Sequence, residues 1–294
     1  MRGKAFIFSF LFLISSDASA FSIPGDWNNY SAKDKQINHA QEAWNDTRKI
    51  NYSGLAWLGN CSGFLVNMNS KQDSPSYVIT NGHCAGLIDK PSDMILVDAR
   101  KKFWPKFLLN NMKNAVEFSG EHIEYATMRG TDIAVLRLSS SYGEISKEGI
   151  MGFKISPMGA QVNEKVIRAD IHSMRLHRFE CSIEHKVHIL KEDKWSWKGA
   201  YRDNCGSWEG SSGSPLISFE TGEVVGIHNT WQKNGGQCTL NNPCEMDEDG
   251  TISVFPTKTY SQRVKEIATC FNKLGEFDLY LKTCQLEKPS AEKK

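Results

Sequence analysis

Three short stretches of this chain set a base, an acid and a nucleophile where they could do chemistry together. In Val78-Ile-Thr-Asn-Gly-His-Cys84 a strand delivers His83 at a turn, and the next residue is a cysteine that a disulfide can tie down. In Gly130-Thr-Asp-Ile-Ala-Val-Leu-Arg-Leu138, Asp132 opens an apolar strand, a place where a carboxylate can be buried and aimed. In Gly210-Ser-Ser-Gly-Ser-Pro215, glycines flank Ser212 and let the backbone turn tightly, so that N–H groups converge on one point. A serine hydroxyl is a weak nucleophile at neutral pH. It needs a base within hydrogen-bond reach, and the base needs an orienting partner. In acyl transfer, His83 would take the proton of Ser212 and return it to a leaving amine, while Asp132 would hold the imidazole tautomer and stabilise the imidazolium. The N–H groups of Gly210 and Ser212 would form an oxyanion hole, worth roughly 3 kcal/mol per donor. Each stretch alone has a plainer reading, as a structural histidine, a turn or a flexible loop. Together, in this order, they argue for catalysis.

Short apolar runs rich in β-branched residues must position these groups. Gly63-Phe-Leu-Val66, Tyr77-Val-Ile-Thr80, Met94-Ile-Leu-Val97, Ile133-Ala-Val-Leu136, Pro215-Leu-Ile-Ser218 and Val224-Val-Gly-Ile227 read as strands bounded by turn residues. Ser218-Phe-Glu-Thr-Gly-Glu223 reads as a hairpin turn. Many short strands at modest spacing predict an all-β sandwich or barrel. A helical pattern runs over Lys258–Phe271, with Tyr260, Val264, Ile267 and Phe271 on one face.

Residues 1–20 have the parts of a signal peptide: Arg2 and Lys4, an apolar stretch from Ala5 to Ile14, and a small-residue site at Ala18-Ser19-Ala20. Cleavage near Ala20 would send the chain to the periplasm or the medium. It would also remove Arg2, Lys4 and Asp17, leaving a neutral chain where the whole sequence carries a net charge of +1. Neither value points to nucleic acid or a membrane surface as partner, and no later stretch is apolar enough to act as a membrane anchor. The expected partners are protein or peptide substrates met by a monomer. The sequence has 8 cysteines, an even count that in an exported chain predicts a disulfide framework. No Cys-x-x-Cys pair suggests zinc. His172, His177, His185 and His188 are expected to alternate between strand faces rather than gather on a metal, and Asp247-Glu-Asp-Gly250 reads as a turn rather than a calcium loop. No metal or cofactor is expected.

The order His, Asp, Ser separates this chain from subtilisins and α/β-hydrolases. Thr80-Asn-Gly-His-Cys84, Thr131-Asp-Ile-Ala-Val135 and Gly210-Ser-Ser-Gly-Ser-Pro215 resemble the histidine, aspartate and serine motifs of the trypsin/chymotrypsin family, the last in a form common in bacterial members such as the glutamyl endopeptidases. The resemblance covers roughly residues 50–272. It implies two six-stranded antiparallel Greek-key barrels with the cleft between them, His83 and Asp132 on the first and Ser212 on the second. The domains expected are a signal peptide (1–20), a leader that is a propeptide or a strap (21–50), a first barrel (51–145), a second barrel (146–257) and a C-terminal helix and tail (258–294). Cys61-Ser-Gly-Phe-Leu-Val66 resembles the strand that supplies the partner of Cys84. Cys181–Cys205 would brace the strand leading to the nucleophile loop, and the nearest-neighbour pairs Cys238–Cys244 and Cys270–Cys284 complete the expected set.

The chain also departs from the family pattern. Ser211 stands where trypsin-like zymogens carry the aspartate that pairs with a new N-terminus, so that switch is expected to be missing. Arg48-Lys49-Ile50 looks superficially like an activation site but continues Asn51-Tyr52. Gly206 stands where trypsin has its specificity aspartate, so a basic P1 residue lacks its usual partner. Val225-Gly-Ile-His228 resembles the glutamyl endopeptidase strand whose histidine binds an acidic P1 side chain, and Ser207 falls where those enzymes place a pocket hydroxyl. Ser207, Glu209, His228, Asn229, Thr230 and Trp231 are the expected substrate-binding residues, with a lean to acidic P1 that Glu209 at the pocket rim would oppose. The plainer reading of His228 is a satisfied core histidine. The function expected is a secreted serine endopeptidase acting through an acyl-enzyme; the alternative is a protease-like binding protein without activity.

Overall fold

The computed structural model describes residues 50–109, 114–173 and 175–290, all within one compact unit, Lys35–Lys294. The expected signal peptide and the leader up to residue 49, with its possible short helix over 40–47, lie outside the described residues. From Ile50 and Tyr52 onward the chain is already part of the core, both side chains being buried.

The described chain is almost entirely β. Its first eight strands are β1 (Leu55–Trp57), β2 (Ser62–Leu65), β3 (Pro75–Thr80), β4 (Ile95–Phe103), β5 (Lys106–Leu108), β6 (Ala115–Glu117), β7 (Gly120–Thr127) and β8 (Ile133–Ser141). They form one antiparallel sheet in the order β4-β7-β8-β3-β2-β1-β5-β6, a half-barrel. The strands β3 and β8 lie at its centre, and their Val-Ile-Thr and Ile-Ala-Val-Leu runs are buried on both faces. A short helix α1 (Tyr142–Lys147) follows, closed at its start by a capping box between Ser141 and Glu144.

The remaining strands are β9 (Lys165–His172), β10 (Arg175–Lys186), β11 (Ile189–Glu192), β12 (Trp195–Lys198), β13 (Tyr201–Asp203), β14 (Pro215–Ser218), β15 (Val224–Trp231), β16 (Cys244–Met246), β17 (Ile252–Ser253) and β18 (Thr259–Arg263). Six of them close a barrel in the order β10-β13-β18-β15-β14-β9, and β12-β11-β16-β17 form a small separate sheet. Closure removes the unpaired edges that an open sheet would expose. The expected all-β architecture therefore stands, with the second barrel closed on six strands and the first sheet a half-barrel of eight. The β14–β15 hairpin turns where Ser218–Glu223 predicted it, with Gly222 at φ +72°.

The C-terminal helix is a correction. Thr259–Arg263 is a strand that pairs with both β13 and β15 and closes the barrel. Only Lys265–Ala268, α2, is helical. The apolar spacing of Tyr260, Val264 and Ile267 mimics a helix face, but Thr259, Ser261 and Gln262 are buried as well. A strand whose two faces are both covered is buried at successive residues, and it needs no helical period. Beyond α2 the chain returns to the first sheet: the Phe271 and Phe277 rings lie 5.6 and 6.4 Å from Tyr77, and Tyr125 donates to the Glu287 carbonyl. No helix among the described residues is long and apolar enough to cross a membrane.

Candidate active site

His83 begins one wide helical turn, His83–Leu87, that follows β3. The turn is kinked at Gly86, φ +93°, a backbone state that glycine adopts without penalty. The Cys61–Cys84 disulfide pins it to the start of β2. Asp132 sits one residue before β8, the partner of β3, so the ladder brings the two side chains together. The Asp132 carboxylate is fully buried. It accepts from His83 Nδ1 on Oδ2 at 2.6 Å and from the His83 backbone N–H on Oδ1 at 3.0 Å. Asn81 Nδ2 donates to the Asp132 carbonyl at 2.9 Å and fixes the backbone beneath. Burial pulls the imidazole pKa down, but the charge and hydrogen bond of Asp132 and the charge of Glu192 outweigh it. His83 therefore titrates above its ordinary value of 6.5.

The nucleophile loop belongs to the second barrel and is held by the first sheet. Ser62 N–H donates to the Ser212 carbonyl at 2.7 Å, Ser62 Oγ donates to the Gly210 carbonyl at 3.0 Å, and Thr80 Oγ1 donates to the Ser62 carbonyl at 2.7 Å. Gly210 and Gly213 stand at φ +98° and +89°. A Cβ on Gly213 would lie 1.9 Å from the Ser62 carbonyl oxygen, so glycine is required there. Neither the Gly210 nor the Ser212 N–H donates to a backbone carbonyl among the described residues. The Ser212 hydroxyl donates to the Asn229 carbonyl at 3.3 Å. That carbonyl is aimed at the loop by a bulge in β15, where the pairing with β18 shifts between His228 and Thr230.

His83, Asp132 and Ser212 line one cleft of about 70 Å³, with Asn229 and Thr230 in its wall. The other expected pocket residues lie elsewhere. Ser207 and His228 form a buried pair behind the nucleophile loop, Ser207 Oγ to His228 Nε2 at 2.7 Å. The Ser211 hydroxyl lies 3.1 Å from that of Ser207 and donates to the Trp208 carbonyl, so it serves the loop's own fold. Burial and the nearby charges of Arg168 and His83 hold His228 well below its ordinary range, hence neutral. Glu209 is turned out to solvent against Lys233 at 3.2 Å. Trp231 ends β15 opposite Thr259 and is not among the cleft residues.

Four disulfides join the pairs expected, Cys61–Cys84, Cys181–Cys205, Cys238–Cys244 and Cys270–Cys284. Cys61 and Cys84 lie beside His83, but their sulfurs are committed to each other. The expected separation of His172 and His177 is corrected: their rings are 6.2 Å apart across the β9–β10 hairpin, because strand alternation does not carry through a turn.

Sequence reasoning passed over Glu192, Trp195 and Trp197, which also line the cleft. Lys191-Glu-Asp-Lys194 looks like a solvated charged turn. The signal lay in the alternation around it. Leu190 and Glu192 point inward on β11 and pair across the hairpin with Trp197 and Trp195, both buried. Arg168 was missed as well. It is fully buried, donates to the Gly206 carbonyl and stacks on Trp208 at 4.1 Å.

Comparison with known proteins agrees with this architecture. No curated protein sequence matches the chain. Among solved structures, the MamO protease domain of Magnetospirillum magneticum superposes with a TM-score of 0.50 at 13% identity, covering 76% of this chain and 98% of that one. Protease A of Thermobifida fusca gives a TM-score of 0.41 at 18% identity over 73% and 91% of the two chains. The Rv3671c protease of M. tuberculosis in its active form gives 0.48 at 13% identity over 80% and 87%. At such identities the MamO likeness is one of fold. The family model described as the trypsin-like peptidase domain matches residues 61–227, from the cysteine that pins the histidine turn to the strand beside the nucleophile loop, and the chain belongs to that family.

Proposed function

We propose that this chain is an exported serine endopeptidase in which Ser212 attacks the scissile carbonyl, His83 moves the proton, Asp132 holds His83, and the N–H groups of Gly210 and Ser212 receive the oxyanion. The observation that carries this reading is the 2.6 Å contact between His83 Nδ1 and the buried Asp132 carboxylate, on a cleft shared with Ser212. Asp132 fixes Nδ1 as the protonated nitrogen and leaves Nε2 as the base. Attack requires the Ser212 hydroxyl to leave the Asn229 carbonyl and turn to Nε2. Four disulfides fit an oxidising compartment, in line with export directed by residues 1–20. A single chain acting as a monomer on protein substrates completes the proposal.

The hydrogen bond from Ser212 to Asn229 also favours a second reading, an inactive binding protein whose serine is held away from its base. Cleavage of a denatured protein substrate by the secreted chain separates the two. Ser212→Ala should leave the fold unchanged and abolish cleavage; a wild-type chain without activity, or a variant that retains most of it, contradicts the first reading.

The P1 preference proposed is acidic. Neutral His228 and the Ser207 hydroxyl are bonded to each other, so an acidic P1 side chain would be read by that pair turning a donor toward its carboxylate; Arg168 adds positive charge behind Gly206, and Lys233 draws Glu209 away. His228→Ala should lower kcat/KM for Glu and Asp substrates by about ten- to a hundredfold relative to others. Cleavage after apolar or basic residues, insensitive to His228→Ala, would assign His228 to the fold alone.

A further inference from the structure

Three residues that line the cleft with His83 and Ser212 each carry a buried polar atom with no hydrogen-bond partner among the described residues. Glu192 is 4% exposed; its carboxylate accepts the Asn241 N–H on Oε1 at 2.8 Å and a hydrogen bond from the Thr230 hydroxyl, yet Oε2 has no hydrogen-bond partner among the described residues. Trp195, directly across the β11–β12 ladder, is 3% exposed and its Nε1–H has no acceptor. Asn229 is 4% exposed and its Nδ2 donates to nothing. Buried polar groups are nearly always paired, since an unpaired one keeps its full desolvation penalty. Three such groups lining one small cleft describe a site that its ligand completes.

The chemistry of the three atoms defines that ligand. The carboxylate needs a donor, and a charged one for preference, because an enclosed anion is poorly solvated. The two N–H groups need an acceptor, such as a peptide carbonyl. No lysine or arginine of the described chain pairs with Glu192. On its own hairpin, Lys194 holds its ammonium over the Trp195 ring at 5.0 Å. The charged groups that face the carboxylate are His83 and Asp132. The space of about 70 Å³ is that of roughly two water-sized groups, enough for the tip of an unbranched chain.

We propose that Glu192, Trp195 and Asn229 form a subsite for a lysine-type basic side chain of a substrate residue near the scissile bond other than P1, the ammonium on Glu192 and a backbone carbonyl on the two N–H donors. The assignment rests on reading His83 and Ser212 as the active site. It makes Glu192 a specificity-determining residue, and it gives the β11–β12 hairpin and the disulfide-closed 238–244 loop the task of holding that residue: Asn241, which anchors Oε1, belongs to the loop.

The test is a peptide series varied one position at a time around the cleaved bond with Lys, Ala or Glu, assayed on the full secreted chain at about pH 8. At one position Lys should exceed Ala in kcat/KM by about tenfold or more. The ratio should fall to within about twofold in the isosteric Glu192→Gln and turn in favour of Glu in Glu192→Lys. Trp195→Phe, which removes the indole N–H together with one ring of the side chain, should raise KM more than it lowers kcat. A flat profile at every position, or a Lys preference unchanged in Glu192→Gln, overturns the subsite. Binding of the same peptides to Ser212→Ala, followed by calorimetry, separates this proposal from the protease reading. Glu192-dependent binding of the Lys peptide without cleavage by the wild type would sink the protease reading and keep the subsite. Equal binding of Lys and Ala peptides would sink the subsite whether or not cleavage occurs.

Discussion

Asp132 and Glu192 are two buried carboxylates whose charges both act on the imidazole of His83, and they are bonded differently. Asp132 uses both oxygens on His83, one on the ring and one on the backbone N–H. Glu192 uses one oxygen on Asn241 and leaves the other without a hydrogen-bond partner among the described residues. Both charges raise the pKa of His83, yet only Asp132 fixes where its proton sits. A carboxylate whose bonds are all made inside the fold holds a geometry; one with a bond to spare is set to hold something from outside. Burial pushes Glu192 up to about 6, so above that pH the fold carries a buried charged carboxylate.

The largest effect should follow from breaking the bonded side. Asp132→Asn keeps the size of the side chain but loses the tautomer control, and kcat should fall by about 10⁴-fold. A loss under tenfold in steady-state assays would place Asp132 with the fold rather than with catalysis.

The nucleophile loop repeats the contrast in its glycines. Gly213 stands against the Ser62 carbonyl, whereas a Cβ on Gly206, at φ +67°, would meet nothing within 4 Å. Gly213→Ala should cost about 3 kcal/mol or more in unfolding free energy and most of the activity. Gly206→Ala should cost only about 1 kcal/mol, the backbone term alone. Equal losses in denaturant titrations would erase the distinction between a closed and an open position.

Glu192→Gln should move stability the other way. The folded carboxyl titrates at about 6 against an ordinary 4.5. A raised carboxyl contributes most below its unfolded value, and that contribution is lost as pH rises through the folded one. The charged form therefore costs the wild type about 2 kcal/mol at pH 8 and nothing at pH 4. Glutamine does not titrate, so relative to wild type the variant should gain about 2 kcal/mol between pH 4 and pH 8. A difference independent of pH would mean that Glu192 is already paired.

The smallest effect sharpens the comparison at His83 itself. Catalysis needs the neutral imidazole, and its pKa is raised, so the acid limb of kcat/KM should lie above 6.5. Removing the Glu192 charge should shift that limb to lower pH. The same sign applies to stability: the protonated form is favoured in the fold, so the His83 contribution is present below 6.5 and lost as pH rises through the raised value. An acid limb that stays in place in Glu192→Gln would remove Glu192 from the electrostatics of the base.

The difference between the two acids also explains what could be read from the sequence. His83, Asp132 and Ser212 sit in motifs whose neighbours, Cys84, the Ile133-Ala-Val run and the glycines around Ser212, are themselves informative. Local order and local chemistry agreed there. Glu192 lies among Lys191, Asp193 and Lys194, a setting that favours solvent, and it is buried only because a hairpin and a disulfide loop distant in sequence fold over it. The strand Thr259–Arg263 shows the same limit. Its burial comes from β13 and β15, and no local period reports neighbours that arrive from both sides.

The most direct measurement is covalent. A fluorophosphonate added to the secreted chain should label a single residue, and mass mapping of the peptides should place the label on Ser212. His83→Ala should abolish labelling, while Glu192→Gln should retain it. Label on another residue, or none on a folded chain, would contradict the assignment of Ser212 as nucleophile and His83 as its base.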